Sequence, residues 1–150
     1  MRVYLVIIDE TDEARTALRF AARRAGKTGG IVHLLALVPK QAFNAFGGVQ
    51  ATIEEEARDR AEVLANSAAG EMMLESGKLP PIAVRVGDAK TVIAEYLEEH
   101  SEVAALVLGA ETEGGPGPLV THFSAHAGTL PCPLFVVPGG LSDEDLERLS

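Results

Sequence analysis

Tryptophan is absent from this chain, and all aromatic residues together make up only 5% of it. An apolar content drawn instead from Ala, Val and Leu suits helices packed on a sheet better than an aromatic-rich sandwich. Cysteine occurs once, as Cys132. That count excludes an internal disulfide and a cysteine-rich metal centre, and it fits a reducing compartment. Positive charge is scarce: 13 Lys and Arg stand against 22 Asp and Glu, a net charge of −9. So acidic a chain repels phosphate backbones and anionic lipid, so neither nucleic acid nor a membrane surface is an expected partner. Long apolar runs are missing as well, since no stretch approaches the roughly 18 residues a bilayer-spanning helix needs. The opening residues Met1 to Val6 lead into a strand-like segment and then meet Asp9 and Glu10. A secretion signal would need a longer apolar stretch and a small-residue cleavage site, so a cytoplasmic location is expected.

What the chain has is a regular alternation. Five short apolar runs bounded by turn residues stand out: Val3 to Ile8, Ile31 to Val38, Ile82 to Val86, Ala104 to Leu108, and Leu134 to Val137. They are rich in β-branched residues and mostly continuous, the pattern of strands buried on both faces of a parallel sheet. Between the first two runs, Ala14, Ala17, Leu18, Ala21, Ala22 and Ala25 form one helical stripe. Thr11 is its expected N-cap, with Asp12 and Glu13 in the first turn, and Gly29-Gly30 stops it. A second helix is expected from Thr52, where Thr52 and Glu55 have capping-box spacing, with Ile53, Ala57, Ala61, Leu64, Ala65 and Ala68 on its buried face. A third is expected behind Asp88, burying Val92, Ile93, Tyr96 and Leu97. A fourth is weakly specified within residues 121–129, because His, Phe, Ser, Thr and Gly are poor helix formers. Strand alternating with helix, each crossover right-handed, predicts a single α/β domain with a doubly wound parallel sheet. The expected domain spans residues 1–140, followed over 141–150 by a short helix capped by Ser142, with Leu141 and Leu146 as its staple, or by an acidic tail.

In a sheet of this kind ligands bind beyond the carboxyl ends of the strands, where the winding reverses. That directs attention to the turns after Ile8, Val38, Val86 and Leu108. The longest connection, Pro39 to Ala51, carries Phe43, Phe46 and Gly47-Gly48 and stands as a lid or an open loop.

Five landmarks in order resemble the universal stress protein family over nearly the whole chain. They are Ile7-Ile8-Asp9-Glu10-Thr11, the strand His33 to Pro39, Val84-Arg85-Val86-Gly87-Asp88, Leu106-Val107-Leu108-Gly109, and Pro131-Cys132-Pro133 leading into Leu134 to Val137. The resemblance implies a five-stranded parallel sheet in the order 3-2-1-4-5 and a homodimer joined through the last strand, with Leu134, Phe135 and Val136 at the interface. An uncovered apolar edge is something proteins normally protect, which agrees with that implication.

Nucleotide-binding members of the family carry Gly-x2-Gly-x9-Gly-Ser/Thr after the fourth strand. Here Gly109 matches the first glycine, Thr112 stands at the second, and His122-Phe123 fall where Gly-Ser belongs; a one-residue deletion brings Val120-Thr121 there instead. The motif is therefore degraded. Gly114, Gly115 and Gly117 retain the makings of a backbone anion nest, and Thr121 is the residue expected to cap the following helix. Against this stand Glu111 and Glu113, with no Lys or Arg between Gly109 and Leu134 to offset them. By resemblance Asp9 faces a ribose and Val38 touches a base through its backbone. Two readings stay open: tight ATP binding is lost, or ATP or AMP is still held, with Mg²⁺ bridging the carboxylates and phosphates.

Other constellations are thin. Asp9-Glu10 and Asp88 resemble the acidic pocket of receiver domains, but Pro138-Gly139-Gly140 supplies no cation after the fifth strand. His122 and His126 have i, i+4 spacing without a third ligand nearby and read as surface or interface histidines. His33 reads as a core histidine, Cys132 as a packed thiol, and Ser124 belongs to no triad pattern. No catalytic or metal-binding residues are assigned. The expectation is a dimeric binding or signalling module in a stress response, with at most slow nucleotide hydrolysis.

Overall fold

The computed structural model describes residues 1–39 and 47–150. Five strands, β1 Val3–Ile8, β2 Ile31–Val38, β3 Ile82–Val86, β4 Val103–Ala110 and β5 Leu134–Pro138, form one sheet in the order β3-β2-β1-β4-β5. Every pairing is parallel; in register, Val6 stands opposite Leu34 on one side and Val107 on the other. All six residues of the central strand β1 are buried. Tyr4, Val6 and Ile8 enter one core and Val3, Leu5 and Ile7 the other, which is why the sequence shows a continuous apolar run rather than alternation.

Helix α1, Asp12–Thr28, begins where the Thr11 hydroxyl accepts the Ala14 N–H at 3.2 Å and ends at the left-handed Gly29. Its alanine stripe is buried throughout, and such small side chains let the helix lie close to the sheet. Helix α2, Gly47–Ser76, starts upstream of the expected Thr52 cap, so Thr52 lies inside the helix. Once nucleated, a helix gains one hydrogen bond for each residue added, and a local capping pattern does not stop it from growing backwards. Of the connection Pro39 to Ala51, read as a lid or an open loop, residues 40–46 lie outside the described residues, while Gly47 and Gly48 belong to α2. Ile53, expected in the core, is half-exposed; burial on α2 falls to Ala57, Ala61, Ala65, Ala68, Ala69 and Met72.

Helix α3, Ala89–Glu99, is capped by Asp88, whose Oδ2 accepts the Thr91 N–H at 3.2 Å and the Thr91 hydroxyl at 3.1 Å. Helix α4, Pro118–Ala125, starts earlier than predicted, and a short 3₁₀ turn follows at Ala127–Thr129. Helix α5, Asp143–Leu149, is capped by Ser142. Its Leu146 is buried, and Arg23 and Lys27 of α1 reach its acidic residues and carbonyls.

Helices α1, α2 and α5 pack on one face of the sheet, α3 and α4 on the other. The winding therefore reverses between β1 and β4, the two strands whose carboxyl ends define the crevice.

Candidate functional site

Asp9 is the first residue beyond β1, and one of its carboxylate oxygens accepts both the backbone N–H of Thr11, at 2.9 Å, and the Thr11 hydroxyl. Across the crevice β4 delivers Gly109, Ala110 and Glu111, and the glycine loop leads into α4. These walls enclose a cavity of about 220 Å³ lined by Asp9, Thr11 and Glu13 on one side and by Gly109, Glu111 and Pro116 to Val120 on the other. Three carboxylates line it, and among the described residues no Lys or Arg does. On the α2 side of β1, two further cavities share Asp9 and Glu10; Arg15 lines one and Arg60 the other.

The loop after β4 is closed by the Glu111 N–H donating to the Pro116 carbonyl at 3.1 Å. Gly114, Gly115 and Gly117 take φ values of 73°, 95° and 97°, a left-handed path that side-chain-bearing residues resist. A methyl group added at Gly117 would lie 3.4 Å from Cγ and Oε1 of Glu111, so the Glu111 side chain runs along the turn that starts α4. No side chain caps this helix, and Pro118 at its first position removes one amide donor from the end an anion would use. Thr121 is not the cap that the sequence suggested. It lies within α4, donating its N–H and its hydroxyl back to the Gly117 carbonyl at 3.0 and 2.8 Å. The reason is that Pro118, with its preset φ, opens the helix earlier.

Of the residues predicted for a ligand, Asp9, Gly109 and Gly117 share the crevice, whereas Gly114, Gly115, Thr121 and Val38 do not line it. The Val38 side chain is buried, and its carbonyl accepts the Gly87 N–H at 3.0 Å. Gly109 has a packing reason of its own: a Cβ there would lie 2.0 Å from the Glu13 carbonyl oxygen. Gly139 is also crowded, with a Cβ 2.6 Å from the Ala110 oxygen, and its carbonyl accepts the Thr16 hydroxyl at 3.0 Å. Together these contacts lock the start of α1 against β4 and the end of β5. Glu13, Pro118, Arg15 and Arg60 were not foreseen as lining residues; the first-turn position of Glu13, four residues beyond Asp9, was the one sequence signal available.

The remaining candidates resolve individually. The His122 and His126 rings lie 4.4 Å apart, and Nδ1 of His126 donates to the His122 carbonyl at 2.8 Å. Desolvation, followed by the neighbouring His126 and Lys90, pushes the His122 pKa down. Among the described residues no group of three His, Cys, Asp or Glu is disposed to hold a metal ion. His33 has a buried Nδ1 without a hydrogen-bond partner, and burial lowers its pKa against the opposing pull of Glu102. Burial also raises the pKa of the Cys132 thiol, which is half-covered. Asp88 is held below its ordinary range by the two Thr91 hydrogen bonds, as a helix cap should be.

At the sheet's edge, β5 is paired on one side by β4. The Phe135 ring packs within the chain, 6.3 Å from both Tyr4 and Phe20, with the Arg24 guanidinium 5.1 Å above it. Leu134 leans on the opposite core, while Val136 is 42% exposed.

A doubly wound parallel sheet with a crevice at the reversal of its winding places the chain in the class of α/β folds whose ligands, where they bind one, sit at that crevice. The chain belongs to the universal stress protein family, whose model matches residues 1–138. Among solved structures it is similar to the universal stress protein UspA from Lactobacillus plantarum, at 21% identity, covering 91% of this chain and 97% of that one, with a TM-score of 0.76. It is also similar to a universal stress protein family protein from Arabidopsis thaliana with AMP bound (15% identity, 96% and 95% covered, TM-score 0.63). A third is the universal stress protein from Archaeoglobus fulgidus in complex with dAMP (18% identity, 91% and 97% covered, TM-score 0.57). No curated protein matches the chain. No helix among the described residues is long and apolar enough to cross a membrane.

Proposed function

We propose that this protein is a cytoplasmic, homodimeric binding or signalling module of the stress response whose crevice no longer holds ATP tightly. The observation that carries the reading is the crevice wall: Asp9, Glu13 and Glu111 line it, no Lys or Arg among the described residues does, and Pro118 has removed an amide donor from the start of α4. A triphosphate brought there meets like charge on both walls, and the helix end has fewer N–H groups to offer in return. The role proposed is binding or signalling rather than dedicated catalysis, with at most slow nucleotide hydrolysis.

A second reading, retention of an adenine nucleotide such as ATP or AMP, is favoured by the left-handed Gly114, Gly115 and Gly117 backbone and by Arg15 and Arg60 across Asp9. Solved relatives carry AMP and dAMP. In that reading one or two of the crevice carboxylates would hold a Mg²⁺ ion, which would offset the phosphate charge. The receiver-like alternative is weaker, because Asp88 is engaged in capping α3.

Calorimetric titration with ATP, with and without Mg²⁺, separates the first two. Micromolar affinity overturns the loss of tight binding; no heat and an unchanged melting temperature at millimolar ATP overturn retention. For the dimer, β5 is the expected seam, with Leu134, Phe135 and Val136 along it. Val136→Lys is the cleaner probe, since Phe135 already packs inside its own protomer and a charge there would unfold rather than dissociate. Light scattering on the Val136→Lys variant should give the mass of a monomer, and a mass that stays dimeric moves the seam elsewhere.

A further inference from the structure

At the opposite end of the sheet from the crevice, where α1 and α2 finish and β2 and β3 begin, lies a second and larger cavity. Its volume is about 610 Å³, within the ~300–1,000 Å³ usual for ligand pockets. We infer that this cavity binds a medium-chain aliphatic monocarboxylate, its chain lying between α1 and α2 and its carboxylate paired with Lys78.

Three features converge on that class of ligand. The first is packing left undone. Interiors are ordinarily filled to crystal-like density, yet small residues, Ala22, Ala25 and Gly26, make up most of what α1 turns towards this space. Gly26 is not among the glycines with positive φ, and a Cβ added there meets nothing within 4 Å. A glycine inside a helix costs stability relative to alanine, so neither backbone nor packing accounts for it. The second is the chemistry of the walls. Met72, Leu79, Pro80 and Pro81 extend an apolar lining, and Leu79 is 68% exposed. An apolar chain lying there takes this surface out of water, and the unbranched Met72 side chain can adapt to it. The third is charge. The whole chain has 22 acidic residues against 13 basic, but this lining reverses the balance, with Arg23 and Lys78 against Glu75. Arg23 is taken up by Asp143 and Glu147 of α5, at 3.7 Å each. The Lys78 ammonium enters no ion pair among the described residues, which leaves it to answer an incoming carboxylate.

The walls are built before a ligand arrives. Gly77, at a φ of 72°, donates its N–H to the Met73 carbonyl at 2.9 Å, and the Ser76 hydroxyl oxygen accepts the Lys78 N–H at 3.3 Å. The Pro81 carbonyl accepts the Leu34 N–H at 2.9 Å, tying that wall to β2. A preformed site loses little ordering entropy on binding. A carboxylate and an alkyl chain are also what an anionic membrane lipid presents in kind, but a net charge of −9 favours the free acid over a charged bilayer.

The test is calorimetric titration of the full chain with decanoate, octanoate and decanol, for the unaltered protein and for Gly26→Leu, Lys78→Gln and Glu75→Gln. Decanoate should bind saturably and octanoate about tenfold more weakly, because each methylene buried is worth up to roughly fourfold. At low salt Lys78→Gln should weaken decanoate roughly fivefold and leave decanol unchanged, whereas Glu75→Gln should tighten decanoate by up to that factor. Gly26→Leu should abolish binding without lowering the melting temperature, since leucine enters open space and is the better helix former. No saturable decanoate binding below millimolar concentration overturns the inference, as does decanoate binding that Lys78→Gln or a folded Gly26→Leu leaves unchanged. Decanol binding as tightly as decanoate overturns it too, by removing the carboxylate. Should Gly26→Leu lower the melting temperature, the decanoate and decanol affinities of Lys78→Gln decide alone. Flotation with phosphatidylcholine–phosphatidylglycerol vesicles that Lys78→Gln abolishes overturns the free acid in favour of a bilayer. None of these outcomes bears on ATP, whose titration tests the other end of the sheet.

Discussion

The first turns of α1 and α4 face each other across one cavity, at the carboxyl ends of neighbouring strands, and they are finished differently. Helix α1 is closed by its own side chains: Thr11 accepts the Ala14 N–H, Asp9 in turn accepts from Thr11, and Asp12 and Glu13 face the positive end of the helix dipole. Helix α4 has no side-chain cap, begins on a proline, and has the Glu111 side chain lying along its entrance. Both sides of the crevice are thus dressed with negative charge, one by a local capping motif and the other by a side chain from the loop that follows β4. The lesson is that a helix start at a topological switch point is an anion site only if nothing in the chain has already answered its dipole. Here α1 is answered by its own cap, while α4 is not capped and has a carboxylate beside its entrance.

The comparison breaks most severely at the contact that joins the two regions. Gly109→Ala would place a methyl 2.0 Å from the Glu13 carbonyl oxygen, backbone against backbone, and force α1 away from β4. The expected loss is about 3 kcal/mol, at the upper end for overpacking, measured by urea denaturation. Thr11→Ala removes the α1 cap and should cost about 1 kcal/mol, whereas Thr121→Ala, on the exposed side of uncapped α4, should stay within about 0.5 kcal/mol. Equal losses at the two positions would mean that α4 depends on Thr121 as α1 depends on Thr11. The smallest effect concerns pH. Burial depresses the His33 pKa, so the unfolded chain takes up a proton near pH ~6.5 that the folded chain refuses. Stability should then decline as pH falls below ~6.5, and continue to decline until the folded-state pKa is passed. His33→Gln should flatten the melting temperature between pH ~6.5 and ~5; an unchanged profile assigns that slope to the exposed His122 instead.

Much of the architecture could be read from residue order because its determinants are local or periodic. Thr11, Asp88 and Ser142 were legible as caps because each accepts an N–H three residues ahead, a contact the sequence itself spans. The start of α4 was not, because its entrance is a glycine and a proline without a capping hydroxyl. Thr121 attracted the assignment simply by being the nearest hydroxyl. The bulk of α2 was legible in its alanines, while its first turns extended beyond the Thr52 signal. In the crevice, Asp9 and Gly109 were found, but the reason Gly109 must be glycine lay in Glu13, a residue from the opposite end of the sequence. Phe135 read as an edge residue because it sits on the last strand; its ring instead completes a cluster with Tyr4, Phe20 and Arg24.

By itself, the sequence determined that five doubly buried strands would alternate with helices, because hydrophobic periodicity and capping act within a few residues. It also determined the shortage of positive charge after the fourth strand. Only the tertiary structure decided which groups share the crevice. Glu13 of the first helix and Glu111 of the loop after the fourth strand become walls of one cavity because close packing at Gly109 and Gly139 draws α1 against β4, and contacts between distant segments leave no trace in local pattern.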